Sequence, residues 1–281
     1  MVQRESGIQL HYEKYRKIIQ GLTLMSDALM RNVLRDIKCA EYVIQIIMEQ
    51  ADLKIVDVTI QQDNKNLRGR SAVLDCVAED AGGDRYDVEV QQGSGGASPK
   101  RARYHSAVLD ANTLEPGKDF DTLPKSYVIF ITDEDIAGAG LPIYHVAKTV
   151  KETKEEFGDQ AYIIYVNSKI QDDTELGRLM HDFHCKSPDD MYSRVLAERV
   201  RSIKETQKGE DDMCREMEKI YEEGLEKGIE EGRAKGIEEK ARETVRNLSA
   251  MGLSADKIAS AVQVSIEEVR EWLSDGAKAV R

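Results

Sequence analysis

The chain has 281 residues, a net charge of −12 and 33% charged residues. That length allows one sizeable core plus something smaller, and no apolar run reaches the length of a membrane span. Cys39, Cys76, Cys185 and Cys214 are scattered without C-x-x-C spacing, which excludes a disulfide framework or a cysteine zinc site and leaves reduced, packed thiols. Met1-Val2-Gln3-Arg4-Glu5 has no charged-then-apolar leader pattern, so a cytoplasmic location is expected. The acidity disfavours tight binding of phosphates, although roughly half of the excess lies beyond Glu205, in a stretch that reads as helical.

In chain order, residues 1–21 read as a polar arm or irregular helix. Ser26 to Gln50 carries Leu29, Val33, Ile37, Tyr42 and Ile46 at helical spacing and is expected to be one helix, with Glu41 inside it. Leu53–Gln61 alternates as a first strand, and the polar link Asp63–Gly69 follows.

Ser71 to Gln92 is the stretch on which the rest depends. Two strand-like runs flank Asp80-Ala81-Gly82-Gly83-Asp84, a hairpin-closing cluster. Tyr86, Val88 and Val90 alternate with Asp87, Glu89 and Gln91, and a hairpin centred on Gly82 sets Asp75 directly opposite Glu89. Carboxylates so placed have Cβ atoms roughly 5 Å apart and repel. A hard divalent cation would offset that repulsion. A hairpin with one solvated face explains Asp87, Glu89 and Gln91 equally well, but it fits Asp75, which shares its face with Val73 and Val77, poorly.

After the flexible Gly93-Ser94-Gly95-Gly96, Ser98 and Pro99 suit the cap and first position of a helix to about Ala111. Lys100, Arg101 and Arg103 in its first turn oppose the helix dipole, so they serve either an anion or simply an exposed basic start. Lys125–Thr132 and Ala161–Val166 read as buried strands, with Asp133-Glu134-Asp135 after the first and a packed Tyr144-His145 pair between them. His181-Asp182-Phe183-His184-Cys185 reads as a helix end, because consecutive residues alone cannot build a tetrahedral site. Ser187-Pro188 opens a further helix through Met191, Val195 and Leu196.

Beyond Gly209 the composition changes. Gly224, Gly228, Gly232 and Gly236 recur every fourth residue, which points to close helix–helix approach or to a marginal helix that orders on association. Residues 248–281 read as two short helices around Val262–Ser265, and Glu267 and Glu268 at the start of the second argue against base reading. Three parts are expected: a core of 1–208, a charged helical linker of 209–247 and a small helical module of 248–281.

Asp75, Glu89-Val90-Gln91 and the helix start Lys100-Arg101-Ala102-Arg103-Tyr104, with SYVIFITDEDIAGAGLPIYH and AYIIYVNS downstream, resemble the PD-(D/E)XK nuclease superfamily, in its recombination-promoting nuclease or transposase-like branch. The resemblance runs from about Leu22 to the Met213-Cys214 region. It implies a restriction-endonuclease-like α/β fold, a mixed sheet with flanking helices, followed here by a helical C-terminal tail. It also implies metal-dependent cleavage of DNA, with Mg²⁺ or Mn²⁺ held by Asp75, Glu89 and the Val90 carbonyl. Glu41 would be the first-helix acid of such nucleases or a solvated helix glutamate, and Arg101 matches the family's helix arginine. Gln91 stands where most of the superfamily has lysine, as its transposase-like branch usually does, and His105 stands where a second tyrosine is usual. Two functions are therefore expected: a DNA endonuclease linked to recombination or mobile elements, or a catalytically weak relative acting in regulation or assembly. DNA and a second copy of the chain, bound through the tail, are the expected partners, and no membrane is.

Overall fold

The computed structural model describes residues 2–64, 72–93 and 96–278, so most of the Asp63–Gly69 link and the Ser94-Gly95 part of the glycine loop lie outside the described residues. The chain folds as two compact units, Met1–Glu216 and Met217–Arg281.

In the first unit, α1 (Val2–Gly21) is a continuous helix, not an irregular arm. Tyr15 and Ile19, one turn apart, bury their side chains and anchor it. The single helix expected over Ser26–Gln50 is two, α2 (Asp27–Leu34) and α3 (Ile37–Met48). Asp36 separates them because its extended backbone ends one helix while its side chain accepts the Lys38 N–H and caps the next.

Six strands follow: β1 (Ile55–Asn64), β2 (Ala72–Asp80), β3 (Arg85–Gln91), β4 (Ser126–Thr132), β5 (Ile143–Val146) and β6 (Ala161–Asn167). Their spatial order is β1-β2-β3-β4-β6-β5, with β1-β2-β3 and β6-β5 antiparallel and β3-β4-β6 parallel. This mixed sheet between helices is the restriction-endonuclease-like α/β fold. The turn closes as its residues require: Asp80 Oδ1 accepts the Gly82 and Asp84 N–H groups, and Gly83 takes φ +89°, which favours glycine.

Helix α4 (Pro99–Thr113), capped by Ser98 on the Arg101 N–H, covers the sheet face that carries Asp87 and Glu89. Ala102 packs there with Val128, Phe130 and Tyr165. All five central residues of β3 are buried, so the solvated-face alternative fails for Asp87 and Glu89. Tyr144 lies on β5, while His145 is exposed, so the two are not a packed pair. The Tyr144 hydroxyl instead donates to Asp135 Oδ1 at 2.7 Å, and Asp135 Oδ2 accepts Gly140 N–H at 2.6 Å, which folds the loop after β4 onto itself.

Helices α5 (Glu175–His184) and α6 (Arg194–Lys204) complete this unit together with the start of α7 (Gln207–Ala250). Met213 and Cys214 are buried, and Glu216 reaches Asn32 Nδ2 at 2.6 Å, so the core extends past the 208/209 boundary expected from composition. In the second unit the end of α7, α8 (Ala255–Val262) and α9 (Ile266–Lys278) enclose Val245, Ile258 and Val269. A Cβ at Gly224, Gly228, Gly232 or Gly236 would meet nothing within 4 Å, so these glycines serve no close approach among the described residues. Among the described residues, no helix is long and apolar enough to cross a membrane.

Candidate nuclease site

Strand register brings the key carboxylates together. Cys76 pairs with Val88 and Val77 with Asp87, and one step further Asp75 N–H donates to Glu89 Oε1 at 2.9 Å. Alternation then puts Asp75, Asp87, Glu89 and Gln91 on one face of two neighbouring strands. A cleft of about 490 Å³ opens beside them, lined by Met25, Ser26, Asp27, Asp75, Val90, Gln91, Gln92 and Arg101.

Each strand-end residue has a visible anchor. Gln92 Nε2 donates to the Met25 carbonyl at 2.7 Å, and Gly93 N–H donates to Asp133 Oδ1 at 2.6 Å. A Cβ at Gly96 would collide with Gln91 Oε1, so only glycine there leaves the amide in place. Arg101 spreads its guanidinium over the motif: Nη2 donates to Glu89 Oε2 and Nη1 to Gln91 Oε1, both at 3.3 Å.

Two residues join the site that the sequence did not single out for it. Asp87 is fully buried and its Oδ2 lies 3.2 Å from His105 Nδ1, while its Oδ1 has no hydrogen-bond partner among the described residues. Asp27, at the start of α2, lines the cleft and pairs with Arg31 at 3.4 Å. The alternating pattern already placed Asp87 beside Glu89. Nothing local marked Asp27, because its neighbourhood is made by the docking of α2 on the sheet.

Glu41 is not brought to this cluster. Its carboxylate accepts Lys54 Nζ and the Ile55 N–H, both at 3.0 Å, and so fixes the start of β1. The first-helix acid at the cleft is Asp27, because the break at Asp36 sends α3 toward β1 and leaves α2 facing the strand ends. Lys100 and Arg103 are exposed on α4 and do not line the cleft; Arg101 alone of the three does.

The electrostatics are those of negative charge short of compensation. Burial, then the charge of Glu89, raises the Asp75 pKa to about 8. Burial and Glu89 likewise raise Asp87 to about 7, against the hydrogen bond from His105. Asp27 is raised by desolvation, opposed by Arg31. For His105, burial disfavours the charged ring, but the bonds to Asp87 and Glu89 outweigh it and raise the pKa to about 9. Carboxylates clustered in this way, with the cleft-lining Asp27 and Asp75 beside Glu89 offering oxygen donors, fit a hard divalent cation.

A second group of ligand-type residues, His181, Asp182 and Cys185, does not share this character. Asp182 Oδ1 and Oδ2 accept the Tyr192 and Ser193 N–H groups at 2.7 and 2.8 Å, tying α5 to the start of α6.

The family model for the PD-(D/E)XK nuclease family transposase matches residues 41–176, a narrower span than the Leu22–Cys214 resemblance. The span holds all six strands and α4, and with them Asp75, Asp87, Glu89, Gln91 and Arg101. No curated protein and no solved structure matches the chain. Nucleases of this kind generally use divalent metal ions and act on DNA, and residues 41–176 of this chain are similar to the PD-(D/E)XK nuclease family transposases.

Proposed function

We propose that the chain is a Mg²⁺- or Mn²⁺-dependent endonuclease that hydrolyses phosphodiester bonds of DNA in recombination or in the movement of mobile elements. The observation that carries the reading is Asp75 on the wall of a cleft beside the buried Glu89, with the Asp75 pKa raised to about 8 and Arg101 bonded to Glu89. Asp75 and Glu89, with the Val90 carbonyl and Asp27 as further oxygen donors, would hold the ion. When bound, the ion supplies Lewis-acid polarisation of the phosphate and lowers the pKa of water.

The chain's own residues supply the rest. Arg101, on the cleft wall, offers forked N–H donors to a phosphate oxygen. Gln91 orients a water or phosphate through its amide without adding charge. Lys100 and Arg103 face solvent on the same helix turn and suit the flanking backbone of the nucleic acid. The tail is assigned to assembly, as a homo-oligomer contact.

Cleavage of supercoiled and linear DNA with Mn²⁺, wild type beside Asp75→Ala, tests this reading. Metal-dependent nicking lost in the variant is the expected result. Absence of both nicking and Mn²⁺ binding by the wild type would favour the regulatory or assembly reading, which the neutral Gln91 supports.

A further inference from the structure

The Glu89-Val90-Gln91 run leaves an amide at the position where a charged side chain would face the carboxylates. Among the described residues, Arg101 is the permanently charged group bonded to that run, and it reaches both Glu89 and Gln91. We infer that Asp87, His105 and Arg101 form a positioning relay that fixes the Arg101 guanidinium beside Gln91, where it supplies the positive charge that the Glu89-Val90-Gln91 run lacks. The inference rests on the nuclease reading above and names the residues that complete that site.

The relay is built from spacing on one helix and alternation on one strand. Arg101 and His105 are four residues apart on α4, so they lie one above the other. His105 is buried with its ring 5.6 Å from Phe130, and its Nδ1 faces Asp87 Oδ2 at 3.2 Å and Glu89 Oε1 at 3.4 Å. A neutral ring that donates from Nδ1 keeps a lone pair on Nε2. Arg101 Nε donates to that Nε2 at 3.2 Å. This contact favours the neutral ring and so opposes the pull of Asp87 and Glu89 toward the charged one.

Arg101 therefore spends Nε on His105, Nη1 on Gln91 and Nη2 on Glu89, with its carbon 5.9 Å from the Phe130 ring centre. A residue that only gripped DNA from the surface would need none of these three acceptors. Asp87 and His105 are buried and do not line the cleft; they orient Arg101, which does. His105 Nε2 is the acceptor the relay uses.

The test is run on the full chain with Mn²⁺ calorimetry and cleavage kinetics on duplex DNA. Arg101→Ala should lower kcat by about 10²-fold or more, change KM by less than about threefold, and tighten Mn²⁺ binding up to about fivefold by removing a competing cation from Glu89. His105→Phe keeps the ring packing but removes the acceptor, and should shift both quantities in the same directions by less. Recovery of part of the rate in Gln91→Lys/Arg101→Ala would show that one charge replaces the other. A higher KM with unchanged kcat in Arg101→Ala, or wild-type behaviour of His105→Phe in both measurements, overturns the relay. If the wild type neither binds Mn²⁺ nor cleaves, the nuclease reading fails by itself, and thermal unfolding of Arg101→Ala, His105→Phe and the double variant still decides the relay. Non-additive midpoints support it, and additive midpoints overturn it.

Discussion

Among the described residues the first unit contains two groups of metal-ligand residue types, and they differ in what their oxygens already do. Asp182, in the group with His181 and Cys185, has both oxygens bonded to backbone N–H groups at 2.7 and 2.8 Å. Asp87, in the group with Glu89 and His105, has one buried oxygen with no partner among the described residues, beside a second carboxylate and close to a third at Asp75. A saturated buried carboxylate holds the fold together. An unsaturated cluster of them holds a fold and a binding capacity at once, because its desolvation and repulsion are relieved by a proton or by a cation. Residue type and proximity therefore do not separate a site from a brace, whereas unfilled hydrogen-bonding capacity does.

The two groups should part most widely when their charges are removed. Asp75→Asn and Glu89→Gln should each abolish metal binding in calorimetry and reduce cleavage by about 10³-fold or more, since each removes one of few charges that would offset the ion. Asp182→Asn should leave both unchanged. A loss of Mn²⁺ affinity in Asp182→Asn would move the metal to the other cluster. Asp182→Ala should instead lower stability by about 2–4 kcal/mol, as two buried N–H groups lose a charged acceptor, and chemical denaturation reads this directly.

Acid–base linkage makes the contrast finer. Folding raises the Asp75 pKa from 3.8 to about 8, so its contribution to the stability of the metal-free chain is fully present below about pH 4 and is lost as pH rises through 8. Mn²⁺ favours the ionised carboxylate, so its stabilisation of the unfolding midpoint should grow from about pH 6 to about pH 8.5. Binding at pH 7 should also release close to one proton, visible as a dependence of the calorimetric heat on the buffer. A heat that does not depend on the buffer would place the ion away from Asp75.

A weaker effect is expected in the second unit. Ser265 and Glu268 form a reciprocal cap on α9, with Ser265 N–H donating to Glu268 Oε2 at 2.9 Å and Glu268 N–H donating to Ser265 Oγ at 3.1 Å. Glu268→Ala should lower the thermal unfolding midpoint of that unit slightly, without altering cleavage. The glutamate that argued against DNA reading by α9 is thus committed to its own helix.

Alternation and turn chemistry act locally, so the geometry they enforce is legible in the amino-acid sequence. Asp80 and Gly83 specify the turn, the turn specifies the register, and the register sets Asp75 against Glu89. Ser98 and Pro99 specify where α4 starts, and hence that Arg101 lies in its first turn. The superfamily was legible for the same reason, because its motifs lie on these elements. What covers each face was settled by tertiary docking. An alternating strand reads the same whether its polar side meets water or a helix, so the burial of Asp87 and the role of His105 came from the docking of α4. The helical pattern of Ser26–Gln50 could not reveal that Asp36 divides it, and the division determines that Asp27 faces the cleft while Glu41 braces β1. Composition placed the end of the core at Gly209, but Met213, Cys214 and Glu216 pack against it, since a helix can change its surroundings without changing its own periodicity.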